Sequence, residues 1–175
     1  MNAYFNLSPS SRLQRSLTIF GLPAQYRKAL DKECFDRLDS AIVAYYSVAA
    51  REEMPAVLSD PTFLICDELK RLFTLYLPDL QTKIVKLFAG ERDSNESCLY
   101  WLAYFPRADC LHESAERYPD GSVKRIILDS AALPKTPIFR LDGMLEYKVI
   151  VELSVAESIL RRCPYGVDLT PVEVR

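Results

Sequence analysis

Residues 61–88 read PTFLICDELKRLFTLYLPDLQTKIVKLF, and this stretch decides how the chain folds. Thr62 to Cys66 is short, apolar and partly β-branched, which predicts a buried strand. Asp67 follows as the expected N-cap of a helix. Behind it Leu69, Leu72, Phe73, Tyr76 and Leu77 recur at i, i+3, i+4, i+7 and i+8, the spacing of one apolar helix face. Pro78 cannot continue the helix, and Lys83 to Phe88 is expected to run as a second strand.

The same grammar returns in 147–174, YKVIVELSVAESILRRCPYGVDLTPVEV. A strand (Tyr147 to Glu152) meets Ser154, the predicted cap, with Glu157 completing a Ser-x-x-Glu capping box. Val155, Ile159, Leu160 and Cys163 are the expected apolar face. Arg161 and Arg162 suit the negative end of the helix dipole. Pro164 and Gly166 end the helix before Val167 to Val174 extends. The two stretches read as a degenerate internal duplication, or as two unrelated units that share a common plan. Between them, Cys98 to Phe105 (CLYWLAYF) reads as an aromatic strand. Tyr118-Pro119-Asp120-Gly121-Ser122 reads as a tight turn, with strands at Val123 to Asp129 and Pro137 to Leu141.

Upstream, residues 1–58 form an expected lead-in packed on the core. It has a loop at Ser8 to Ser11, a short helix within Pro23 to Leu30, and a strand at 41–48 for which a helix through Ala49 and Ala50 competes. The reading is a mixed α/β (α+β) fold: a central, mostly antiparallel or mixed sheet with two strand-helix-strand units packed on it. Residues 59–175 carry the main domain, and the whole chain forms one structural unit.

Composition limits function. The 175 residues are 49% hydrophobic and 26% charged, ordinary for a globular protein, with a net charge of −2. No global basic field invites nucleic acid. Charge is uneven, however. Residues 1–30 carry Arg12, Arg15, Arg27 and Lys28 and no acid, whereas residues 31–80 carry ten acids against five bases. That acidic middle is either a solvated face or a surface for a basic partner. The longest apolar run, Ala41 to Ala50, is too short to span a bilayer, and no export signal is evident. A soluble cytoplasmic protein is expected, with its five scattered cysteines reduced.

The search for catalytic chemistry is mostly negative. Cys110 and His112 lie two apart, so on a strand they would face the same way; a thiol–imidazole pair is one reading, a structural turn after the aromatic strand the other. No second ligand pair completes a metal site. The five glycines, at 21, 90, 121, 143 and 166, form no phosphate cradle. Neither a cofactor nor a metal is expected. The strand bearing Tyr100, Trp101, Tyr104 and Phe105 is either core or a binding platform; alternation places Tyr100 and Leu102 on one face and Trp101 and Ala103 on the other.

The segments PTFLICDELKRLFTLYLPDLQTKIV, YWLAYFPRADCL, PDGSVKRIILD and IFRLDGMLEYKVIVELSVAESILRRCPYGVDLTPVEV occur in an order that resembles the immunity proteins of bacterial polymorphic toxin systems, of the former domain-of-unknown-function type. The matching positions include Ile138, Phe139, Arg140, Val149 to Val151, Ser154 to Arg162, Gly166, Pro171 and Val172, over a stretch from about Pro61 to the end. The resemblance implies a small cytoplasmic protein, not an enzyme, that neutralises a cognate toxin domain by stoichiometric binding. Partner surfaces vary within such a family, so interface residues are chosen from this chain alone. Trp101, Asp109, His112, Asp93 and Glu96, on or beside the aromatic strand, are the expected partner-binding residues. A different interaction module (a secretion chaperone, a phage accessory protein or a complex subunit) is the alternative, and an enzyme built on Cys110 and His112 a third reading. A homodimer through an open sheet edge is also compatible with the short strands.

Overall fold

The computed structural model describes residues 3–11, 17–27, 32–48, 53–90, 96–144 and 146–175. In chain order these form strands β1 (Tyr4–Pro9) and β2 (Leu17–Phe20), short helices α1 (Ala24–Arg27) and α2 (Lys32–Asp36), and strands β3 (Ala41–Val48), β4 (Val57–Leu58) and β5 (Leu64–Cys66). Helix α3 (Asp67–Tyr76) leads to β6 (Gln81–Ala89) and β7 (Ser97–Tyr104). Five short strands follow: β8 (Arg107–Ala108), β9 (Glu116–Arg117), β10 (Val123–Arg125), β11 (Ile127–Leu128) and β12 (Ile138–Leu141). The chain closes with β13 (Val149–Glu152), α4 (Leu153–Arg162) and β14 (Val167–Val174).

The fold is the expected α+β mixture, dominated by sheet. Its strands divide between two six-stranded sheets, each carrying one strand-helix-strand unit. The first has the order β11-β14-β1-β13-β12-β8, the second β2-β3-β6-β7-β5-β4, and β9 and β10 form a separate ribbon. The two sheets repeat one plan. In the second, β5 leads through α3 to β6, and β7 lies between them, antiparallel to both. In the first, β13 leads through α4 to β14, and β1 lies between them, again antiparallel to both. Outside these, β4 and β12 pair antiparallel with β5 and β13, while β3 and β11 pair parallel with β6 and β14. The interval from Asp67 to Gln81 equals that from Leu153 to Val167. The likeness of the two stretches is therefore a repeat of topology, and the N-terminal strand β1 fills in one repeat the place that β7 fills in the other.

The helices start differently from the expectation. Cys66 and Glu152 are the N-caps, both in extended conformation and neither making a side-chain cap hydrogen bond. Asp67 and Ser154 are thus already helical, and the Ser154–Glu157 capping box does not form. The strand runs straight into the helix, and the Leu153 N–H donates to the Ala3 carbonyl at 2.9 Å. The residue preceding β1 thereby satisfies one of the donors that the helix start leaves without an intrahelical partner. α4 ends at Cys163 in the left-handed region (φ 46°), and Leu160 and Cys163 are exposed rather than part of its apolar face.

One core cluster joins both halves. Leu69, Leu72 and Phe73 of α3 and Val155, Ala156 and Ile159 of α4 pack with Ile65, Ala103 and Phe105 from the second sheet side and Leu7, Ile138, Val149 and Val151 from the first. Burying each of the large side chains contributes about 1.5–3 kcal/mol. Phe105 meets Phe63 and Phe73 edge-on, with centroids at 6.2 and 5.8 Å. Tyr76 ties the helices together, donating to the Ser154 carbonyl (3.0 Å) and sharing a hydrogen bond with Ser158 (2.7 Å). A second cluster sets Ile19, Leu22, Tyr26, Phe35 and Leu38 against Ala44, Tyr46, Val85, Leu87, Tyr100 and Leu102 on the back of the second sheet. Residues of the expected lead-in thus supply an inner strand of one sheet and the cover of the other. The expected Ser8–Ser11 loop begins inside β1, with Pro9 opposite Val167.

Candidate functional site

Alternation along β3 determines what the second sheet shows to its surroundings. Ala44 and Tyr46 point into the core beneath α1 and α2, so Val43 and Tyr45 must point the other way. Register then aligns them in rows across four strands. Phe20, Tyr45, Phe88 and Ser97 form one row; Val43, Lys86 and Leu99 form the next; Ala41, Ile84, Trp101 and Ile65 form the third. Helix α3 covers the Ile65 end of this face, where Ile65 is fully buried. Toward β3 and β2 the face is open: Phe20 is 42%, Val43 49%, Tyr45 44% and Leu99 42% exposed. Exposed apolar side chains scattered singly need no explanation; these lie side by side on one face.

The open face is shaped locally by aromatic contacts and close backbone. Phe20 and Tyr45 stack with centroids 5.8 Å apart and planes inclined by 20°. Gly90 lies beneath the Phe20 ring, and a Cβ built there would come within 2.6 Å of Phe20 Cζ. A larger residue there would force the ring to shift.

Two ammonium groups accompany the apolar rows. Lys86 Nζ lies 5.1 Å from the Phe88 ring centroid, and Lys70 Nζ of α3 lies 4.8 Å from that of Trp101. Neither lysine forms an ion pair among the described residues, whereas Asp67, beside Trp101, is engaged by Arg71 (2.8 Å) and by the Trp101 indole N–H (3.0 Å).

The structure brings together only part of the expected binding set. Trp101 borders the open face, and Glu96 immediately precedes β7 at its rim, where the Glu96 carbonyl accepts from the Ala89 N–H at 3.0 Å. Asp93 lies outside the described residues. Asp109 and His112 lie elsewhere, on the segment that follows β8 of the first sheet. There the His112 N–H donates to the Ile127 carbonyl, and the His112 ring Nδ1 pairs with the Ser114 hydroxyl at 2.7 Å. Cys110 between them is 1% exposed, and its thiol is pushed up to about 11, first by burial and then by Asp109 and Asp129. Such a thiol stays protonated and is a poor nucleophile.

Part of the acidic middle of the chain is answered within its own helices. Glu33 pairs with Arg37, Asp36 with Lys32 and Asp67 with Arg71. Sequence reasoning missed Phe20, Val43, Tyr45, Lys86, Phe88 and Leu99. The alternation of 41–48 was the available signal, but a strand covered on both faces reads the same way.

A cleft of about 410 Å³ opens beside Leu77, Pro78, Asp79 and Tyr104. Its lysine, Lys32, is already held by Asp36 (2.6 Å), Gln81 (2.5 Å) and the Tyr104 ring. No cluster of potential metal ligands occurs among the described residues, and none of their helices is long and apolar enough to cross a membrane. Compared with known proteins, the chain matches no family model and no curated relative.

Proposed function

We propose that this chain is a non-catalytic cytoplasmic binding protein that works by stoichiometric contact with another protein, through the open face of its second sheet. The observation that carries this reading is the set of four neighbouring apolar side chains, Phe20, Val43, Tyr45 and Leu99, exposed together on one rigid sheet with Trp101 at their border. Tyr and Trp presented on a fixed scaffold supply large contact area at small entropic cost, which makes them typical anchors. The protonated, buried state of Cys110 supports binding over thiol catalysis. Joined to the resemblance in motif order, this makes the partner a toxin domain that the protein neutralises by covering it.

The test is to look for a toxin gene adjacent to this one in the genome and to co-express the two. Wild-type protein restores growth and co-purifies with the toxin domain at equal stoichiometry. Tyr45→Ala and Phe20→Ala weaken binding by about 2 kcal/mol or more each if they are anchors, with the melting temperature little changed because both rings are exposed. Rescue that survives both substitutions moves the interface off this face. No adjacent toxin gene and no rescue would favour an interaction module of another kind.

A further inference from the structure

We infer that the open face of the second sheet docks an acidic partner: a protein segment that alternates apolar side chains with carboxylates, the carboxylates meeting Lys86 and Lys70. The inference rests on the binding reading above and adds the chemistry of what binds. Lys86 occupies the middle of the face, with Val43 and Leu99 as its cross-strand neighbours and Ile84 and Phe88 before and after it on the same side. Any partner that covers Val43, Tyr45 and Leu99 also takes the Lys86 ammonium out of water. A buried cation without a counter-charge is costly, and Lys86, which forms no ion pair among the described residues, would draw that counter-charge from the partner. Lys70 presents a second ammonium over Trp101 at the α3 border, so one positive charge lies within the apolar rows and the other at their edge.

The same geometry argues against other occupants. A basic partner would meet like charge. A second copy docked face to face would bring another Lys86 and Lys70 and no carboxylate from the rows themselves. Glu96 stands only at the rim, and Asp67 is engaged by Arg71 and Trp101. Carboxylates alternating with apolar groups match the rows, because side chains on a pleated sheet stand at fixed intervals along each strand.

The experiment selects a phage-displayed random peptide library on the immobilised full chain at low salt, with counter-selection on Tyr45→Ala. The expected winners carry Asp or Glu between aromatic or aliphatic residues and bind Lys86→Glu about tenfold more weakly or worse, the effect of one close charge pair. Lys86→Gln falls between, and affinity drops as salt rises through about 0.1 M and above. Both substitutions replace an exposed side chain, and melting curves check that they fold. Winners that require Tyr45 yet are neutral or basic, and ignore Lys86→Glu, overturn the acidic chemistry while leaving the binding face standing. The absence of any Tyr45-dependent binder overturns the face itself. Sedimentation that finds a dimer of the free protein, dissociated by Tyr45→Ala, assigns the face to a second copy and also overturns the inference.

Discussion

Trp101 has its ring at the border of the open face and its indole N–H turned to Asp67 in the first turn of α3. It therefore serves the seat of the helix as well as the surface. Trp101→Phe keeps the ring contact and removes the donor. Expected is a loss of about 1 kcal/mol of stability in urea melts, with partner binding retained more fully than in Tyr45→Ala; an unchanged melt would show the hydrogen bond to be dispensable. Cys110 supports a second residue-scale prediction. Cys34 and Cys163 are exposed and are expected to react with iodoacetamide in the native protein, while Cys110 reacts only after unfolding. Its raised value also sets a pH dependence. Above the ordinary thiol value of 9.0 the unfolded chain gives up the proton, while the folded chain keeps it until about 11. Stability from this group is thus present at neutral pH and is lost as pH rises through that window. Cys110→Ser melts compared at pH 8 and at higher pH check the sign: the variant should lose less stability than the wild type over the alkaline range.

At the scale of elements, β1 is the informative case. It lies between β13 and β14, with Tyr4 opposite both Glu152 and Val172, whereas its counterpart β7 is the next described strand after β6 and pairs antiparallel with it. Because β14 and β1 are antiparallel neighbours, the end of β14 adjoins the start of β1. A circular permutant that joins Arg175 to Ala3 through a short turn and opens the chain between Ser11 and Leu17 is expected to fold with a near-native circular dichroism spectrum. Deleting residues 1–10 instead leaves β13 and β14 with unpaired inner edges and is expected to abolish cooperative melting. The helices of the two repeats were legible from their apolar spacing, which depends only on local periodicity. Their caps were not: the donor at Leu153 is satisfied by Ala3, a residue far away in sequence. Residues 123–129, read as one strand, split between β10 in the ribbon and β11 in the first sheet, because different partners pull the two ends into different ladders.

The two halves share one cluster built from α3, α4 and residues of both sheets, and this shared cluster joins the clusters that each sheet carries on its own. The fragment 59–175 lacks β1 and β3, and with them the middle of one sheet and an inner strand of the other. It is expected to be molten or aggregated, while the full chain shows a single unfolding transition by calorimetry and by Trp101 fluorescence. Two distinct transitions in the full chain would contradict this shared core.

The amino-acid order by itself determined the α+β class, both amphipathic helices, the turn at Tyr118–Ser122 and the two-faced character of the aromatic strand, since each depends on neighbours a few residues apart. Tyr100 and Leu102 do face one core cluster, and Ala103, with the partly buried Trp101, faces the other. Tertiary structure alone decided that the sheet is two sheets and that the N-terminal strand completes the C-terminal repeat. It also decided which half of an alternating strand stays uncovered. Val43 and Tyr45 look no different in sequence from buried residues; their exposure follows from where α3 ends its cover over the second sheet. Alternation names the two faces of a strand, and only the packing of distant elements says which of them meets solvent.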